Sequence, residues 1–373
     1  MHRRAQAALV LVDRAFYALQ WFVLAPATAA LLGSGRLSSW EAGLLPLAFI
    51  AGAAAAQLLG AEASSLIGAR NAFVLGFSIL SASDVAVAMS RGAAEAVALR
   101  LVAGVGVGLF FSPAGYVLVE LGDDSAARLM GLYNTAFELG GAAALAWGLV
   151  DGALGWRSGT ELSGLIGLAL SAATLVIMSE NPRPERPRSL IRSRGLEVAA
   201  VGVAGAGAFG ASYALGSFLP YYASVTFVAS PYGMGALTAV SFIGGALGGL
   251  IPLVLDVGSS SVTTVTLLLV SSASYSLLLA RPYPVFLLMA FVNGLIVNWA
   301  VSVYYAHTVE RFGRSSSTTS LAIMNALNMA ASLWVYPLVA VITPSEPSSF
   351  PVVLAASSAA LSPLLLLRPR RRD

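Results

Sequence analysis

The sequence predicts an all-α integral membrane protein whose twelve transmembrane helices form two pseudo-symmetric six-helix bundles. Three observations lead there. Mean hydropathy is +0.80, 57% of the 373 residues are hydrophobic and only 10% are charged, against about a quarter charged in an ordinary soluble domain. The apolar residues fall in long runs, and most reach the roughly 20 residues a helix needs to cross about 30 Å of hydrocarbon. The runs also read twice. Tyr17 in YALQWF returns as Tyr213 in YALGSF, and Phe49 in FIAGA returns as Phe242 in FIGGA. Gly104, Glu120 and Asn134 return as Gly294, Glu310 and Asn325, so five landmarks keep one order at offsets of 190 to 196.

In the first half the expected spans are 7–31, 41–60, 72–90, 94–119, 126–150 and 160–179; in the second they are 196–220, 232–255, 262–280, 283–308, 317–342 and 350–367. Helices are required because an open strand edge would leave backbone groups unsatisfied in lipid. Spans 262–280 and 350–367 are the shortest. Pro26, Pro46, Pro113, Pro220, Pro252 and Pro337 fall inside spans, where kinks are tolerated if neighbours satisfy the freed backbone. The one long polar interruption is ENPRPERPRSLIRSRG, with three prolines. It predicts a linker over 180–195 between an N-terminal bundle, 1–179, and a C-terminal bundle, 196–373. The remaining connections are short and leave no room for an extramembrane catalytic domain.

All 21 basic side chains are arginine. Fifteen fall on the side of the termini: Arg3, Arg4, Arg70, Arg128, five between 183 and 194, Arg311, Arg314 and four between 368 and 372. Four fall on the other side, Arg36, Arg91, Arg157 and Arg281, while Arg14 and Arg100 lie within spans. The positive-inside rule therefore predicts cytoplasmic termini in a cell membrane. The net charge of +3 comes mostly from loops and tails that face anionic lipid headgroups, so membrane lipids, and not nucleic acid, are the expected partners of these arginines. With no cysteine there is neither a disulfide nor a thiolate metal site, and no metal or cofactor is expected. The first span is too long for a signal peptide and lacks a cleavage pattern, so it reads as a retained helix.

Several motifs resemble those of the major facilitator superfamily, and the resemblance runs over nearly the whole chain. Arg100, Gly104 and Gly106, extended by Gly108, match its RxxxGxG pattern in the fourth helix. Gly155, Trp156 and Arg157 match a Gly-Trp-Arg found after the fifth helix, and Leu24, Ala25 and Pro26 are similar to the first helix. Of the GxxxDRxGRR loop between helices two and three, Gly68 and Arg70 remain, and Ser65 stands in place of the aspartate that forms a charge latch. The Gly-Pro motif of many drug/proton antiporters is absent, since Gly140 and Gly141 follow Glu138 without proline.

Polar residues within spans are the candidate site, because such groups are costly in lipid unless paired, hydrated or functional. Arg100, Gly104 and Gly108 share a helix face on which the glycines admit a close neighbour. Asp84 and Arg100 lie eight residues to either side of a hairpin at 92, hence at similar depth. Arg100 either pairs with Asp84 or faces a central cavity, where the resemblance places the matching arginine of many relatives. Glu138 lies near the midplane, twelve residues from each end of its span, with Asn134 one turn earlier. It either binds and releases a coupling proton or merely joins helices. Asp13, Tyr17 and Gln20 form a polar stripe at i, i+4 and i+7. Arg14 either snorkels to the interface about 10 Å away or turns inward. The second half offers uncharged groups: Tyr213, Asn293, Asn298 and the pair Asn325 and Asn328, which three-residue spacing can place on one face. His307 and Glu310 read as interfacial.

These features predict a secondary active transporter of a small solute, working by alternating access between the two bundles, coupled to protons and acting as a monomer. A facilitative uniporter or a drug or metabolite antiporter is the alternative, and a receptor or scaffold reusing the fold is more remote. With two histidines, no cysteine and neither an HExxH nor a GxSxG motif, an enzyme is not expected. The few polar cavity candidates favour a small, amphipathic or weakly charged solute.

Overall fold

The computed structural model describes residues 3–122, 125–255, 258–358 and 361–366, and among them there are helices and no strands. Arg368, Arg370, Arg371 and Arg372, and residues 359, 360 and 367 of the last expected span, lie outside the described residues. Among the described residues eleven helices are long and apolar enough to cross a membrane: α1 (Arg3–Gly33), α2 (Ser39–Ile67), α3 (Ala69–Met89), α4 (Ala93–Leu121), α5 (Ala126–Leu154), α6 (Trp156–Ile177), α8 (Pro231–Val254), α9 (Ser261–Leu279), α10 (Tyr283–Phe312), α11 (Arg314–Ile342) and α12 (Ser349–Leu366). The twelfth, α7, is a pair, Pro187–Ala204 and Ala208–Phe227, bent by 43°. Leu59, Leu66, Leu75, Leu149, Val176 and Leu288 stay exposed on the outer surface, as a lipid-facing wall requires.

Local sequence sets several helix starts. Ser38 and Glu41 form a capping box on α2: Ser38 Oγ accepts from Glu41 N, and Glu41 Oε2 accepts from Ser38 N at 2.9 Å. Ser125 and Ser260 cap α5 and α9 by accepting from the backbone three residues on, each cap being worth about 1 kcal/mol. Pro46, Pro113, Pro220 and Pro252 are carried inside helices. Pro26 instead lies in the first turn of a new segment of α1, where its fixed φ suits a helix start and no hydrogen-bonding N–H is missed. The expected linker also starts a helix early. Residues 180–186 are irregular, but Pro187 begins the first segment of α7, which is interrupted at Arg194. There Glu197 accepts from Arg194 Nε at 2.7 Å and from Arg311 Nε at 2.8 Å, tying α7 to α10.

The packing repeats as the sequence does. In the first half α2 and α3 pack on α4, and α1 on α5; in the second, α8 and α9 pack on α10, and α7 on α11. Contacts between the halves follow the same rule, with α5 against α8 and α10, and α11 against α2 and α4. The repeated landmarks make one joint twice. A Cβ on Gly104 would stand 2.0 Å from Phe49 O, and one on Gly294 would stand 1.8 Å from Ser241 O, beside Phe242. Gly106 and Gly108 are likewise pressed against the backbones of α3 and α2, so this glycine run lets three helices close on one another.

Polar links at these joints differ between the halves. Asp84 on α3 and Arg100 on α4 form a buried ion pair at 3.1 Å. At the corresponding joint Asn293 Nδ2 on α10 donates to Ser274 Oγ on α9 at 2.8 Å, with Ser274 standing 190 positions after Asp84. Gly108 is matched at that offset by Asn298, whose Nδ2 donates to Gly245 O on α8 at 2.8 Å. Charge in one half is answered by neutral hydrogen bonding in the other.

Candidate functional site

At the centre of the molecule the guanidinium of Arg14 is buried, at 1% exposure. Its Cζ lies 4.3 Å from the ring centre of Tyr133, 4.5 Å from Phe137, 4.7 Å from Tyr17 and 5.2 Å from Phe111. Each such cation–π contact offsets part of the cost of burying a charge, by about 0.5–2 kcal/mol. Nε and Nη1 of Arg14 have no hydrogen-bond partner, and no carboxylate lies in ion-pair range of it among the described residues. Snorkelling is thus overturned. The guanidinium points into aromatic side chains of α1, α4 and α5 and not to the surface.

Arg14 shares a small cavity, about 10 Å³, with Asn134, Phe137 and Glu138 from the first half and with Phe209, Ser212, Tyr213, Asn298, Val301 and Tyr305 from the second. In this conformation it is no larger than a single water. Glu138 feels the charge of Arg14 without touching it, and it lies over Gly245 of α8, where a Cβ would come within 2.3 Å of its Oε2. Asn134 Nδ2 donates across the halves to Ser302 Oγ on α10 at 3.1 Å, and Thr135 Oγ1 donates to Ala246 O at 3.0 Å. Trp21 of the first half packs on Tyr213 of the second, 4.5 Å between ring centres. A cation, a carboxylate and an amide therefore meet where the halves meet.

The symmetry mate of the Asn134–Ser302 bond would join Asn325 on α11 to Ser112 on α4, at offsets of 191 and 190. Asn325 Oδ1 and Nδ2 and Ser112 Oγ are instead all buried without a hydrogen-bond partner. Asn328 turns to a different neighbour, donating to Gly202 O of α7 at 2.9 Å, so the two asparagines do not act on a common group. Asn293, bonded to Ser274, is also away from the cavity.

The polar stripe on α1 divides. Asp13 accepts from Thr174 Oγ1 of α6 at 2.8 Å. Gln20 Nε2 donates to Ser163 O of α6 at 3.0 Å while its Oε1 accepts from Ser81 Oγ of α3 at 2.9 Å. Both serve the interior of the first bundle, whereas Tyr17, stacked on Phe110 at 4.4 Å, borders Arg14. Arg100 both pairs and faces a cavity: besides Asp84 it donates to Trp21 O at 3.0 Å, and it lines a narrow space with Phe22, Ser217 and Phe218. That space shares Leu24, Thr28 and Leu45 with a pocket of about 400 Å³ opening at the arginine-poor end beside Arg36, Glu41 and Arg157.

The loop motifs have structural work. Gly68 has φ +89°, open to glycine but strained for other residues, and its α-carbon abuts the Asn181 side chain. Asn181 Oδ1 accepts from Arg70 N at 3.0 Å, and Arg70 Nη1 donates to Met178 O at 2.6 Å. An asparagine and a carbonyl thus hold the loop that a carboxylate latch would hold. Arg157 donates to Ala88 O and Ser90 O at the end of α3. Glu310 accepts from Ser259 Oγ, and His307 Nδ1 lies 2.6 Å from Ser259 O.

Sequence reasoning missed the ring of Phe111, Tyr133, Phe137 and Tyr305 and the Asn134 partner Ser302. Tyr133 and Phe137 sit four apart, each next to a singled-out residue, and that spacing was the available signal. The sequence model of the family described as Major Facilitator Superfamily matches residues 11–203, just over half of the chain and inclusive of Arg14, Asp84, Arg100 and Glu138. Among curated proteins none matches. A multi-pass helical protein with the family's fourth-helix pattern, whose packing repeats after six helices and whose family match takes in its buried charges, belongs to the major facilitator superfamily of membrane transporters.

Proposed function

We propose that the protein is a secondary active transporter that carries a small solute across the cell membrane by alternating access, with proton coupling and with both termini cytoplasmic. Residues 1–179 and 196–373 are the two bundles that rock about the Arg14–Glu138 cavity. The observation that carries this reading is the composition of that cavity: a carboxylate and an unpaired guanidinium from one half face uncharged polar and aromatic groups of the other. A proton on Glu138 changes the net charge around Arg14, so solute binding and proton binding become linked. The second half has no such charge at the cavity, which leaves it to shape and hold the solute.

Proteoliposomes enclosing a pH-sensitive dye test it. Solutes added outside are expected to carry protons inward, and Glu138→Gln is expected to abolish the proton signal while labelled solute still exchanges. Solute entry with no proton movement in the wild type would leave facilitated diffusion. An unchanged proton signal in the variant would remove Glu138 from coupling.

A further inference from the structure

Two arginines are buried within the first bundle, and they are treated differently. Arg100 has a carboxylate partner, a carbonyl acceptor and the Phe49 ring at 3.9 Å. Arg14 has no carboxylate partner among the described residues and is ringed by aromatic side chains, with Nε and Nη1 unbonded. One turn further along α1, Tyr17 Oη is also buried without a partner. An arginine cannot shed its charge by losing a proton, so Nε and Nη1 of Arg14, which lines the cavity between the halves, are left without an acceptor among the described residues, and the Tyr17 ring lies 4.7 Å from the same guanidinium.

We propose that Arg14 and Tyr17 recognise the carboxylate of a small organic acid with a flat apolar body, a reading that rests on the Arg14–Glu138 cavity being the transport site. A carboxylate has two oxygens and about four lone-pair positions, which suits the guanidinium donors and one hydroxyl together. Phe111, Tyr133 and Phe137 surround the guanidinium, and aromatic faces accept a planar hydrocarbon beside the charge. Charge selects a monoanion. With Glu138 protonated the cavity holds one positive charge; a cation would be repelled, a neutral solute would leave Arg14 unpaired, and a dianion would bring one unbalanced charge into a buried site. Ionised Glu138 competes for Arg14, so acid and proton enter together. The present space, about 10 Å³, does not admit such a body, and the site forms when the halves part.

The test uses the purified full-length protein in detergent micelles at mildly acidic pH, with thermal unfolding as readout. The probes are benzoate, phenylacetate and phenylpropionate, each beside its primary amide, with benzylammonium as the cationic control. At least one acid is expected to raise Tm while its amide and the amine do not. Arg14→Lys keeps the charge but loses the planar fork and should weaken the acid about tenfold or more; Tyr17→Phe keeps the ring and should weaken the acid by a smaller factor. If Arg14→Lys does not fold, the comparison of acids with amides on the wild type decides alone. Amides as effective as acids, no effect of any acid, or equal stabilisation of both variants would overturn the proposal. Acid binding without proton-linked transport would remove the coupling and keep this site. Proton-linked uptake of a solute that no acid displaces would keep the transporter and remove the acid.

Discussion

Replacing Asp84 by asparagine removes the ion-pair partner of Arg100 inside the first bundle. At 3.1 Å and an effective dielectric of about 20, the gross attraction is about 5 kcal/mol, much of which offsets the cost of withdrawing both charges from water. The two single variants differ in what they leave behind. Without Asp84, Arg100 stays charged, with only Trp21 O and the Phe49 ring to receive it; without Arg100, the carboxyl can neutralise itself by taking a proton. Asp84→Asn is therefore expected to cost about 3–5 kcal/mol and Arg100→Gln less. The double variant should recover about 2–3 kcal/mol relative to the sum of the singles, since the Ser274–Asn293 link shows an uncharged pair serving the corresponding joint of the second half. The assay is SDS-titrated unfolding of the purified variants, read as a double-mutant cycle. Additive losses, or a larger loss from Arg100→Gln than from Asp84→Asn, would show that the two side chains do not stabilise the bundle as a charge pair.

Gly104→Ala should reduce folded yield sharply, because the added Cβ would stand 2.0 Å from Phe49 O and force α2 and α4 apart, whereas Gly92→Ala, with nothing within 4 Å, should leave yield unchanged; detergent-extracted protein on size exclusion measures both. Asn134→Ala removes the bond to Ser302 between the halves and should weaken their closed arrangement by about 1 kcal/mol, seen as faster hydrogen exchange in α5 and α10 and not in α3.

Much of the architecture was legible because a bilayer imposes its own rules. Span length and the repeated landmarks predicted helices and two like bundles, and the structure makes one joint of those landmarks twice, with Gly104 against Phe49 O and Gly294 against Ser241 O beside Phe242. The Asp84–Arg100 pair was legible from depth on one hairpin, a local quantity. Arg14 was not, since its position depends on rings that α4 and α5 bring to it. Shared spacing misled at Asn325 and Asn328, whose environments are set by different neighbouring helices, and at Asp13 and Gln20, which bond to α6 and α3 while Tyr17 stacks on Phe110 of α4 beside Arg14. The linker to residue 195 was overextended because composition marks polarity, while Pro187 and the Glu197 clamp favour a helix.

In the proposed cycle the charge state of Glu138 governs how the two halves sit about Arg14. The cysteine-free chain permits a direct measurement, by pulsed electron–electron distances between spin labels at introduced cysteines. Ala5→Cys with Ser315→Cys reports the end carrying the N-terminus, and Ser158→Cys with Ser345→Cys reports the opposite end; all four positions are exposed. Acidification of the wild type should shift the two distance distributions in opposite senses, and Glu138→Gln should hold the acid distribution at every pH. A variant that still follows pH as the wild type does, or two ends that move in the same sense, would show that Glu138 does not set the arrangement of the halves.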